Sequence, residues 1–75
     1  MIKSLTELSS GEKGIIVKIE GGRGLVKRLA DLGFIPEQEV EVVRIAPHGP
    51  LAIKVRGTMY ALGRGIAEKI YVNIV

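Results

Sequence analysis

A chain of 75 residues has room for one domain, read here as residues 1–75, and for a single small hydrophobic core. It contains no cysteine, which rules out disulfides and thiolate metal sites, and no apolar run near the ~20 residues of a membrane-spanning helix. The net charge of +3, from 11 basic and 8 acidic residues, is spread along the chain with the signs alternating, so no basic run marks a nucleic-acid partner.

Ile, Val and Leu supply 25 of the 75 residues, and 18 of these are β-branched, which favours strands. The first residues, Met1 to Leu5, lack an apolar stretch followed by a small-residue cleavage site. A cytoplasmic protein without direct membrane insertion is therefore expected. Ser4 and Glu7 have the spacing of a capping box, which predicts one helical turn docked through Leu5 and Leu8. From Lys13 to Glu20, Ile15, Val17 and Ile19 alternate with Ile16, Lys18 and Glu20, the pattern of a strand with one dry face.

Gly21 to Gly24 lead into the one substantial helix, in which Leu25, Leu29 and Leu32 recur on one face while Lys27, Arg28 and Asp31 point elsewhere. Gly33 fits the left-handed residue that ends a helix, and Pro36 forbids its resumption. The glycines before the helix match neither phosphate-loop spacing and read as a chain reversal. In Glu39 to Ile45 the apolar parity changes, with Val40 and Val42 on one side and Val43 and Ile45 on the other, which predicts a β-bulge near Val42 and Val43. Ala46 to Pro50 form a hairpin tip, and Leu51, Ile53 and Val55 a strand with an unambiguous dry face. Arg56 and Gly57 make a tight turn into Thr58 to Leu62; Gly63 to Ala67 form an irregular or 3₁₀ turn, and Ile70, Val72 and Ile74 alternate in a last strand. The fold class expected is mainly β, a small SH3-like barrel of about five antiparallel strands with one inserted helix and short helical turns. An open α+β sheet is the alternative.

No catalytic constellation emerges. The only histidine, His48, stands between Pro47 and Gly49 on the hairpin tip, and no serine lies near a credible base. No enzyme activity and no cofactor are expected. Metal-ion candidates are His48 and the alternating carboxylates Glu37, Glu39 and Glu41, which form a solvated strand face unless a further ligand joins them. Lys18, Lys54 and Arg56 lie on polar strand parities with few aromatics among them, a thin pattern for nucleic-acid binding, so no nucleic acid is expected. A compact interaction module remains.

The run Arg28-Leu29-Ala30-Asp31-Leu32-Gly33-Phe34-Ile35-Pro36, followed by Val40, Val42 and Ala46-Pro47, resembles the ferrous iron transport protein A (FeoA) family. The opening Ser4-Leu5 with Leu8 and Gly11, then Gly14-Ile15-Ile16, Gly57, Ala61-Leu62, Ala67 and Ile70-Tyr71-Val72 extend the likeness over nearly the whole chain. It departs at Glu37, where the family usually has glycine after the proline, at Gly49-Pro50, and at Gly63 to Ile66, which keeps one arginine. The resemblance implies a cytoplasmic SH3-like accessory protein of ferrous iron uptake that binds the membrane GTPase transporter FeoB without being an enzyme. A metal-sensing module is the alternative, and a nucleic-acid-binding one the more distant. The expected partner-binding residues are Lys27, Arg28, Phe34, Ile35 and Pro36, where arginine and large apolar groups occur together. Edge strands in so small a sheet also offer a route to a homo-oligomer.

Overall fold

A computed structural model describes residues 1–75, and its strands follow the apolar alternation with two instructive exceptions. The elements in order are β1 (Ile2–Ser4), a 3₁₀ turn (Leu5–Glu7), β2 (Lys13–Ile19), α1 (Arg23–Leu32), β3 (Glu39–Ile45), β4 (Leu51–Val55), β5 (Thr58–Leu62), α2 (Arg64–Ala67) and β6 (Ile70–Ile74). All pairings are antiparallel, in the order β1-β6-β2-β3-β4-β5. The sequence predicts about five strands in a barrel. The structure has six, in a sheet that is not closed, because no ladder joins β5 to β1.

The added strand is β1, three residues long and held against β6, so its stability comes from a partner seventy residues away rather than from its own pattern. Ser4 ends it and begins the 3₁₀ turn. Its hydroxyl accepts from the Thr6 amide at 3.3 Å, and the Glu7 carboxylate accepts from the Ser4 amide at 2.9 Å, completing the capping box. Leu5 and Leu8 are buried as expected.

The second exception is β2. Its dry face is Ile16, not Val17, because Ile16 pairs with Val72 and Lys18 with Tyr71, leaving Val17 as the extra residue of a bulge. Val17 is exposed, and beyond it Ile19 turns inward. The bulge expected in β3 is present, with the register shifting between Val42 and Arg44. Val40 and Val42 lie in the core on one side of it, and Ile45 packs against the core on the other. Along β4, Leu51, Ile53 and Val55 are all buried. The core formed by these side chains also takes in Leu29, Phe34, Leu62, Ala67, Ile70 and Val72.

Close approach fixes Gly14. A Cβ there would stand 2.6 Å from Val72 Cγ2 on the adjacent strand, so only glycine lets β2 and β6 meet at this point. Between β5 and β6, the segment read as an irregular turn is one turn of α-helix, α2. Arg64 Nη1 donates to the Ala46 carbonyl at 2.9 Å, tying α2 to the loop between β3 and β4.

Candidate functional site

The site the sequence points to is the end of α1 and the turn that follows. Gly33, at φ 107°, donates its amide to Ala30 O at 3.0 Å, and Phe34 donates to Leu29 O at 2.9 Å. These are the two bonds of a Schellman motif, in which the residue after the left-handed glycine folds back to meet the helix one turn earlier. That geometry sends Phe34 inward. It is fully buried and meets the Tyr60 ring edge-on, with centroids 5.8 Å apart and planes at 61°. Phe34 is therefore a core residue, and its expected place in a partner surface is corrected. The motif's own hydrophobic contact explains why.

The other four expected contact residues, Lys27, Arg28, Ile35 and Pro36, are exposed. Leu32 joins them. Grouping Leu25, Leu29 and Leu32 into one stripe predicts a buried Leu32, but it is 39% exposed. At about 100° per residue Leu32 lies roughly 60° to one side of the buried Leu29 and within about 20° of the half-buried Leu25, so helical phase alone does not mark it as exposed. Ile35, 40% exposed, and Pro36 extend this apolar strip past the helix end.

Two charged residues bracket the strip in backbone conformations that ordinarily favour glycine. Glu37 has φ 74° and Arg56 φ 52°. The Arg56 stem passes over the helix end, with Cδ 3.0 Å from where a Cβ on Gly33 would stand. Glu37 is tied to the sheet, its amide donating to Ile16 O at 2.8 Å. The helix exit thus presents Leu32, Ile35 and Pro36 with Arg28 and Arg56 beside them, Lys27 farther round the helix, and two exposed carboxylates nearby, Asp31 and Glu37.

The metal candidates are not brought together. Glu37 lies in the turn after α1, Glu39 and Glu41 on β3, and His48 in the loop at the far end of that strand. Glu41 stands opposite Lys13 on β2 and Lys54 on β4, so its nearest ladder neighbours are cations. No three histidine or carboxylate side chains converge on one point. Of the basic residues weighed for nucleic acid, Lys18 pairs with Glu20 at 3.2 Å and lies over the Tyr71 ring at 5.3 Å, while Lys54 belongs to the Glu41 row. Tyr60 is half-buried against Phe34, which removes it as a stacking platform. No helix is long and apolar enough to cross a membrane.

These features define a small, mainly β domain of SH3-like type with a helix inserted between its second and third strands. Residues 3–74 match the FeoA domain model, and the chain belongs to the FeoA family. It is 39% identical over 63 residues to a Methanocaldococcus jannaschii protein named as an Fe(2+) transport protein A, spanning 84% of this chain and 76% of that protein. It is 32% identical over 72 residues to a Porphyromonas gingivalis fusion of Fe(2+) transport protein A with the Fe(2+) transporter FeoB, covering 95% of this chain and 8% of the fusion. Among solved structures, an iron uptake regulatory protein, FeoA, superposes over 100% of both chains with TM-score 0.94 and 35% identity. The Stenotrophomonas maltophilia FeoA, described as an SH3 domain protein and solved with zinc, superposes with TM-score 0.81 and 27% identity over 93% of this chain and 88% of that one.

Proposed function

We propose that this chain is a cytoplasmic accessory protein of ferrous iron uptake, acting as one domain over residues 1–75, and that it works by binding a FeoB-type membrane transporter. The observation that carries this reading is the Porphyromonas gingivalis fusion, in which a relative of almost the whole chain is joined covalently to FeoB. Joining two parts in one polypeptide raises their effective concentration for each other, which favours a contact too weak to persist between free molecules.

The surface proposed for this contact is the helix exit. Leu32, Ile35 and Pro36 supply an exposed apolar centre with Arg28 beside it, and Lys27 lies farther round the same helix. An apolar centre with arginine at its side is the composition of binding hot spots. The complementary partner is an apolar segment carrying acidic residues. The chain's role is then to bind and regulate the transporter, with no chemical step of its own.

The test is a calorimetric titration of the chain against the cytoplasmic region of a FeoB transporter. Arg28→Glu is expected to weaken binding about tenfold, corresponding to 1.4 kcal/mol, with an unchanged circular dichroism spectrum. Unchanged affinity would remove the helix exit from the contact. Failure of the unaltered chain to bind at all would remove the transporter reading.

A further inference from the structure

We infer that β5 is a dimerisation edge, pairing antiparallel with β5 of a second copy of this chain about a two-fold axis through Tyr60. The starting observation is the open sheet. Because β5 ends the order β1-β6-β2-β3-β4-β5, one side of its backbone has no strand beside it. Arg56 and Gly57, with φ 52° and 82°, form the two-residue turn joining it to β4. Such a turn makes Val55 and Thr58 a hydrogen-bonded pair, and the alternation of antiparallel ladders repeats this at Ile53 with Tyr60 and Leu51 with Leu62. The amides and carbonyls of Met59 and Ala61 therefore point outward, and no turn or loop bond uses them.

Natural edge strands are usually blunted by a charge, a proline or a bulge. Thr58-Met59-Tyr60-Ala61-Leu62 has none of these, and its register with β4 is uninterrupted. Its two outward groups are also unequal in a way that fits a copy of itself. Met59 is 55% exposed, a large apolar side chain on the outer face. Ala61, two residues on, borders a groove of about 470 Å³ lined by Ala52, Ala46, Pro47 and Pro50. Knob and groove sit on the same strand.

A two-fold axis through Tyr60 places Met59 of each copy opposite Ala61 of the other. Both are then hydrogen-bonded pairs, each exchanging two bonds, about four in all. Paired residues share a face, so each methionine reaches the groove beside the other copy's alanine. An axis through Met59 would oppose two methionines and leave the grooves empty, and one through Ala61 would put Met59 opposite Gly63. Only the Tyr60 axis fills both grooves at once, and it does so because the occupant is a second copy. The five paired residues bring no charge into the ladder.

About four backbone bonds and two methionine contacts make an interface below the standard size, and so a weak dimer with a Kd on the order of 0.1 mM. Sedimentation equilibrium from roughly 10 µM to 1 mM should show a monomer–dimer equilibrium. Met59→Lys alone and Ala61→Glu alone, both at exposed positions, should each leave a folded monomer, with Kd raised at least tenfold. An equimolar mixture of these two variants should associate again, because this register sets the substituted positions opposite each other and keeps one unaltered Met59 and Ala61 pair. A monomeric mass for the unaltered chain throughout the range overturns the proposal. So does a dimer that persists in either single variant, or a mixture that stays monomeric.

Discussion

Replacing Phe34 by alanine decides whether the end of α1 is held from within or offered to a partner. The ring is fully buried among Leu29, Val55 and the other core side chains and stands edge-on to Tyr60 at 5.8 Å. Removing a buried phenylalanine costs about 3–5 kcal/mol, of which roughly 0.5–1.5 belongs to the aromatic pair. A 75-residue domain at about 0.05–0.15 kcal/mol per residue holds roughly 4–11 kcal/mol in total, so Phe34→Ala takes from about a quarter to all of it. In urea titrations followed by circular dichroism, the variant should unfold at a midpoint several molar lower or be unfolded in buffer, since m for so small a chain is about 1 kcal/mol/M. Phe34→Leu, which keeps an apolar group in place, should lose about 1–2 kcal/mol and bind the transporter region unchanged. A loss below about 1 kcal/mol for Phe34→Ala, accompanied by weaker partner binding, would refute the core assignment and return Phe34 to the surface.

Two backbone positions give further expectations. Gly14→Ala places a methyl group 2.6 Å from Val72 Cγ2 and 2.8 Å from Val72 Cβ, so β2 and β6 must separate; a cost of about 1–3 kcal/mol and a Tm lowered by roughly 5–20 °C are expected in a calorimetric scan. Glu37→Gly should act in the opposite direction. Relief of a left-handed residue gives about 1–2 kcal/mol and glycine's greater loss of backbone freedom takes back about 0.5–1, leaving a small net gain that appears as a higher urea midpoint. A lower midpoint would mean that the Glu37 side chain itself holds the turn.

How far each element could be read from the sequence follows from where its information lies. The bulge in β3 is visible because Val40, Val42 and Ile45 change parity within one strand, so the pattern itself carries the irregularity. The bulge in β2 leaves Ile15, Val17 and Ile19 in unbroken alternation, and Val17 is expelled only because β2 must match β6 beyond Ile16. That is a property of the neighbour, and no inspection of residues 13–20 contains it. In β1, three residues are too few for a period. At the helix exit the exposed residues Arg28, Ile35 and Pro36 were legible as surface, and the burial of Phe34 was legible too, since a Schellman motif joins the residue after its glycine to the helix by a hydrophobic contact. The exposure of Leu32 was not, since it shares its helical phase to within about 20° with the half-buried Leu25.

The open sheet reconciles a dry core with an available edge. No ladder joins β5 to β1, and the 3₁₀ turn and α2, two short elements that pack on each other, carry Leu5 and Ala67 into the core. Side chains thus complete the dry core without closing the sheet. Apolar burial needs only that water be excluded, whereas backbone amides and carbonyls need partners of defined direction. The buried side chains meet the first requirement and leave the second unmet along Met59 and Ala61. Solvent satisfies those groups in the monomer, so the edge costs little until another strand competes for it. Arg56 lies between the two surfaces, its stem over Gly33 at the helix exit and its backbone turning the chain into β5.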